Sequence, residues 1–264
     1  MSRSGHPIAS HLHRWVGDPT KLLASVMALP LVDGIFPAIV VAGGLATVAG
    51  VVQVGLLVFG GSATAAVILT EFDGSRMRGV RRVLAVGGPL TVVAGLEAAL
   101  APTIASALDV AVFERFAAIV VLAVAAMTVS ARIADLLPRP GAIVALGFVA
   151  SVRPGTADLT VAADLTLVGR AIAAGLVGTG FAVAVVAFRP TLLTWLDVDR
   201  FRFGSAVALG MLAVSLFHPA YAFAPVAVLG VTVLLSLDPG VEEAPATATT
   251  DGGEEEPTQR PPHW

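Results

Sequence analysis

Apolar and charged positions alternate along this chain in long blocks, and the block lengths predict the fold. Residues 34–70 hold no Asp, Glu, Lys or Arg over 37 positions. A helix crossing the roughly 30 Å hydrocarbon layer of a bilayer needs about 20 apolar residues, because unpaired backbone groups are costly there. That block therefore predicts one full crossing and part of another, with interruptions at Gly43-Gly44 and Gly60-Gly61. The preceding run, Leu22 to Val32, is only 11 residues, so the first helix is expected to continue past Asp33 toward Val41. This gives spans near 22–41 and 47–70. Further runs follow at 83–108, broken by Glu97, then at 116–131, 140–152 and 167–188, the last with Arg170 near its start. The final run, 203–237, is divided by His218-Pro219, since proline lacks the amide donor and pushes its predecessor out of helical geometry. The expected fold is an all-α polytopic transmembrane bundle of about eight spans with an interrupted first helix. Continuous apolar runs, with no alternation of apolar and polar positions, speak against a β-barrel.

Composition agrees, with 56% hydrophobic and 13% charged residues in 264. A soluble globule could not hide that much apolar surface. Cysteine is absent, which excludes disulfides and thiolate chemistry. Residues 238–264 carry seven of the 19 acids and one base, Arg260, with five prolines and no apolar periodicity. This segment is expected to be a disordered acidic cytoplasmic tail. The domain reading is thus a cytoplasmic N-terminal segment, 1–21, a helical membrane domain, 22–237, and the tail, 238–264. Ile8, Leu12, Trp15 and Val16 suit a short interfacial helix in the first segment. No small-x-small cleavage site follows the first apolar run, so a cleaved leader is not expected. Nothing resembles a basic nucleic-acid patch.

The basic residues set an orientation, because lysine and arginine collect in cytoplasmic loops. With the N-terminus inside, Arg3, Arg14, Lys21, Arg76, Arg78, Arg81, Arg82, Arg132, Arg139, Arg189, Arg200 and Arg202 fall inside. Only Arg115, Arg153 and Arg170 fall outside. Both termini are expected in the cytoplasm.

Ionisable residues within spans are the candidates for chemistry, since each is costly in hydrocarbon. Asp33 lies between Pro30 and Pro37, where lost amide donors are expected to disrupt the helix and free carbonyls beside the carboxylate. The site then holds a proton, a cation or a basic partner; the alternative is a simple cap at a bend. Glu97 has no basic residue within ten positions, so it is protonated, faces water or meets a partner, unless its helix ends near Ala94 or Glu97. Asp33 and Glu97 are the candidate ion or proton site. Gln53 is a polar residue lining the second span, more suited to bonding between helices. His11 and His13 lack a third ligand, so no metal and no cofactor is expected. The segment from Arg153 to Asp164 reads as a solvated loop. Catalytic signatures such as His-Glu-x-x-His, Gly-x-Ser-x-Gly and the Walker lysine motif are absent, and no enzyme is expected. Small residues four apart, at Ala46/Gly50, Ala171/Gly175 and Gly204/Ala208, suit close helix packing. Glu114-Arg115-Phe116 and Asp199-Arg200-Phe201 recur 85 residues apart before spans of opposite direction, the form of an inverted repeat.

Lys21 is the only lysine beside fifteen arginines, a bias that fits either a salt-loving archaeon or a GC-rich genome. The strings Leu29-Pro30-Leu31-Val32-Asp33-Gly34-Ile35-Phe36-Pro37, Leu57-Val58-Phe59-Gly60-Gly61-Ser62-Ala63-Thr64, Phe113-Glu114-Arg115-Phe116 and Asp199-Arg200-Phe201-Arg202-Phe203-Gly204-Ser205-Ala206 resemble a family of haloarchaeal multi-pass membrane proteins, a domain of unknown function. The resemblance runs over about residues 6–238. It implies an archaeal cell-membrane protein with no established activity. Two functions stay open: a secondary transporter or ion-coupled carrier for a small solute, and a non-transporting membrane scaffold or partner-binding protein. The expected partners are the lipid bilayer and a small ion or solute; oligomeric state is not set by the sequence.

Overall fold

The computed structural model describes residues 18–153 and 164–237, and every regular element among them is helical. The expected interfacial helix lies almost wholly, and the acidic tail entirely, outside the described residues. Capping residues set the starts. Asp18, Thr47, Asp109, Asp164 and Asp197 are N-caps whose side chains accept from amides of the first turn, which would otherwise be unpaired. The first span is broken into α1 (Pro19–Val32) and α2 (Ile35–Val41). The second is α3 (Val48–Val54), a π-helical segment (Gly55–Phe59) and α4 (Ser62–Glu71), bent by 44°. Then come α5 (Arg76–Ser106), α6 (Val110–Val129), the short α7 (Ala131–Leu136) and α8 (Pro140–Ser151). The last are α9 (Leu165–Trp195), α10 (Val198–Phe217), a 3-10 turn (Pro219–Tyr221) and α11 (Ala224–Ser236).

Five segments are long and apolar enough to cross a membrane, and six if the bent second pair is one. The expected count of eight is therefore not met by length: α8 and α11 have 12 and 13 residues. At about 1.5 Å per residue these reach under 20 Å. The first span breaks inside the expected window between Pro30 and Pro37, but not at a proline. The helix runs through Pro30 to Val32 and turns at Asp33-Gly34, where Gly34 has φ +73°. Proline is tolerated there because it costs one internal bond, whereas the left-handed turn needs a residue without Cβ. Glu97 does not end its helix, which continues through Pro102 to Ser106.

The long helices α5 and α9 pack antiparallel along glycines. A Cβ on Gly79 would meet Val186 at 2.8 Å, one on Gly87 would meet Thr179 at 2.3 Å, and one on Gly95 would meet Ile172 at 3.1 Å. The start of α5 thus lies beside the end of α9. A guanidinium of Arg189 bonds the carbonyls of Ile68 and Leu69, and Leu196 bridges Leu237, so the α4–α5 turn, the α9–α10 turn and the end of α11 share one end of the bundle. At the other end Leu108 bridges Val152, Arg170 bonds the carbonyl of Leu45, and Gly44 approaches Leu216. Arg76, Arg78, Arg81, Arg82, Arg189, Arg200 and Arg202 gather at the first end, and Arg115, Arg153 and Arg170 at the second.

Those contacts expose an internal two-fold. The set α5, α6, α8 recurs as α9, α10, α11 with the same order and nearly the same lengths: 31, 20 and 12 residues against 31, 20 and 13. A shift of 88 carries Gly87 to Gly175, Thr91 to Thr179, Pro102-Thr103 to Pro190-Thr191, Leu108-Asp109-Val110 to Leu196-Asp197-Val198 and Phe113 to Phe201. This repeat has a different register from the acid-Arg-Phe strings 85 apart, which are not equivalent in space. Under the 88 shift the contact of Gly87 with Thr179 becomes that of Thr91 with Gly175, and both are observed. Because α5 and α9 are antiparallel, the two halves are inverted. Each half also holds one broken span: α1–α2 packs on α5, α6 and α8, and α3–α4 on α9, α10 and α11.

Candidate functional site

The two breaks sit close together. Phe36 follows the first and Phe59 precedes the second; both are fully buried, with ring centroids 5.0 Å apart. Gly55 and Gly178 let the second broken span approach α9 backbone to backbone, since a Cβ on Gly178 would lie 2.5 Å from the Phe59 Cβ and 2.8 Å from the Gly55 carbonyl. Bringing small residues to such a crossing lets main chains touch, as in membrane helix pairs generally.

Asp33 is the C-cap of α1, and its amide donates to the Leu29 carbonyl at 2.9 Å. Pro37 offers no amide to the Asp33 carbonyl, and Gly141, in the first turn of α8, packs against that backbone. Arg139, just before α8, is the cation acting on the Asp33 carboxyl. No hydrogen bond or ion pair joins the two side chains. Gln53 is 2% exposed and donates through Nε2 to the Ala222 carbonyl, in the turn leading into α11. Gln53 thus ties the second broken span to the entry of α11, while the first broken span meets the entry of α8 through the Asp33 backbone packed against Gly141.

Glu97 stands apart. It lies in mid-helix on α5, partly exposed, with Oε2 enclosed and without a hydrogen-bond partner. No hydrogen bond or ion pair joins any two of Asp33, Gln53 and Glu97. Thr103 Oγ1 and Ser205 Oγ are also enclosed and unpaired, and neither was singled out by sequence.

The sequence signal for the end-capping arginines was weaker than their role. Arg189 reaches back to the Ile68 and Leu69 carbonyls, at 3.2 and 2.9 Å, and closes the end of α4, where a cation also suits the helix dipole. Arg82 and Arg170 are equivalent under the 88 shift; one stacks over the Phe72 ring at 5.7 Å and the other bonds Leu45. Outside the helices, Arg153 bonds Asp109 at 2.5 Å, and this bond, with the Val112 amide, holds the Asp109 carboxyl below the usual carboxylate range. Two hollows stand out. One of 80 Å³ lies between Asp73, Arg76 and Arg189; the other is an open apolar groove of 700 Å³ between α10 and α11. Neither is lined by Asp33, Gln53 or Glu97. Among the described residues no cluster of metal-ligating side chains occurs.

Residues 90–217, from the middle of α5 to the end of α10, match a family of unknown function (DUF5794). No curated protein and no solved structure matches the chain.

Proposed function

We propose that this chain is a secondary carrier for a small solute or ion in an archaeal cell membrane. It crosses the bilayer eight times, with both ends in the cytoplasm. The observation that carries this reading is the inverted pair of four-segment halves, each containing one broken span. Such halves can exchange conformations about an axis in the membrane plane, which is how many carriers alternate access between the two faces. Connectivity supports eight crossings. The chain leaves α6 at the arginine-rich end and enters α9 at the opposite one, so the segment containing α8 must make the passage although the helix itself is short. The same holds for α11. Burial of α8 and α11 against α6 and α10 relieves them of spanning hydrocarbon alone. Arginine at the α4–α5 and α9–α10 turns favours a cytoplasmic position for that end. No catalytic role is proposed.

The natural lack of cysteine makes the test direct. Single cysteines at Gly74 and at Asp109 should react with a membrane-impermeant thiol reagent from the inside and the outside respectively. The purified protein in proteoliposomes should then move charge or solute down an imposed gradient. The reverse labelling pattern defeats the topology. Correct labelling with no flux under any gradient defeats the carrier and favours a partner-binding scaffold.

A further inference from the structure

The two-fold sets a depth scale for the interior. Its axis passes midway between Gly87 and Thr91 on α5, at residue 89, because the contacts of those two residues are the pair it exchanges. At about 1.5 Å per residue, Glu97 lies about 12 Å from that plane, inside a hydrocarbon half-layer of about 15 Å. The equivalent residue on α9 is Val185, so the fold at this position does not require an acid.

The elements packed on α5 are α9, α1 and α2. Their ionisable residues are Arg170 and Arg189 on α9 and Lys21 on α1, with Asp33 at the end of α1; α2 has none. Arg170 is spent on the Leu45 carbonyl, Arg189 on Ile68 and Leu69 at the far end, and neither Lys21 nor Asp33 bonds Glu97. The enclosed Oε2 therefore has no donor and no cation. A carboxylate with one oxygen enclosed and unpaired carries a desolvation cost that a neutral acid largely escapes. A sodium-like ion would need several further oxygens, and no second acid is bonded near.

We propose that Glu97 is a proton-binding site, a neutral carboxylic acid in this conformation. It exchanges its proton with water at the Ser106 end of α5, nine residues and about 14 Å along the helix. The exchange is balanced: the Glu97 O–H gives its proton to water, and the carboxylate left behind recovers one when the site closes. This rests on the membrane placement proposed above but not on transport, and it names the coupling ion if transport is found.

The test uses the full-length protein in lipid nanodiscs and dicyclohexylcarbodiimide, which attacks protonated carboxyls in apolar surroundings. The acid O–H adds across one C=N bond of the reagent, with nothing leaving, and the adduct is located by peptide mass. The expected result is labelling at Glu97 that falls by about tenfold per pH unit once the acid ionises. Glu97→Gln should abolish it, and sodium should leave it unchanged. A second readout, independent of reagent access, is the infrared C=O band of a protonated carboxyl, present in the wild type and lost in Glu97→Gln. Sodium-dependent protection of Glu97 would overturn the assignment in favour of a metal cation. Absence of both label and infrared band would overturn it outright. Topology controls from the cysteine labelling show whether such a failure belongs to Glu97 or to the membrane placement.

Discussion

The half built from α5, α6 and α8 and the half built from α9, α10 and α11 share a backbone plan, yet they differ wherever a side chain must be specific to one side. Where they agree, the residue serves geometry: Gly87/Gly175 and Thr91/Thr179 form the central seam, and Asp109/Asp197 cap the second helix of each half, α6 and α10. At several positions where they differ, charge is gained or lost. Arg76, Arg78 and Arg81 correspond to Asp164, Thr166 and Gly169, while Arg189 corresponds to Ala101 and Glu97 to Val185. The helix forms with either set, so those charges answer to the surroundings of each end and not to folding. An inverted repeat thus carries its own control: the other half shows what the fold tolerates.

The largest effect is expected where the halves differ in bulk at the centre. Gly178 corresponds to Leu90, which is buried at 4% exposure with its full side chain. Copying it as Gly178→Leu would drive side-chain atoms into the Phe59 Cβ and the Gly55 carbonyl, main-chain contacts that cannot swing away. A loss of about 3 kcal/mol is expected, at the upper end for overpacking, and seen as a lowered thermal midpoint in detergent. A variant as stable as the wild type would mean that the second broken span is not held against α9 as described.

A smaller effect sharpens the equivalence of the short helices. Phe116 faces Gly147, and at the equivalent crossing, where the short helices match with a shift of 85 that carries Ser151-Val152 to Ser236-Leu237, Gly204 faces Thr232; small and large residues have changed sides. Gly147→Thr alone should cost about 1–3 kcal/mol, because its Cβ would meet the Phe116 Cβ at 2.5 Å. Adding Phe116→Gly copies the other half and should recover most of that loss in the same unfolding measurement. Independent, additive losses would break the proposed correspondence.

Much of this plan is legible in the sequence, and for a physical reason: a bilayer imposes block lengths. The five long spans and the bent second pair fall on the apolar runs, whereas the runs at α8 and α11 form helices too short to count as spans by length, and most of the arginines gather at two ends of the bundle. The register of the repeat was hidden because acid-Arg-Phe is a conspicuous string at a helix start, whereas the true anchors are a glycine, a threonine and a capping aspartate, each common alone. Pro30 and Pro37 framed the break correctly but do not make it: it falls on Gly34, whose left-handed turn disfavours a side chain. For Asp33 the missing knowledge was tertiary, since Arg139 lies more than a hundred residues away. Glu97 was conspicuous as a lone acid, but only packing shows that no partner comes to it.

The smallest effect concerns the cap at the start of α6. Asp109 accepts from the Val112 amide at 3.3 Å and from Arg153, whose hydrogen bond is the main reason that its carboxyl stays ionised below the usual range. A folded-state value depressed below the ordinary carboxylate value of about 3.9 gives stabilisation that is fully present above that value and is lost as pH falls through the folded one. Asp109→Asn keeps the shape and removes the charge, so wild type should be the more stable near neutrality and the two should converge on acidification below about pH 3.9. The pair is exposed, at 57% and 30% for the two side chains, so the difference should be small and should shrink further in salt. Thermal midpoints of both proteins followed from pH 7 downward at low ionic strength decide the matter. A gap that stays constant, or widens in acid, would mean that the bond to Arg153 does not set the behaviour of this cap.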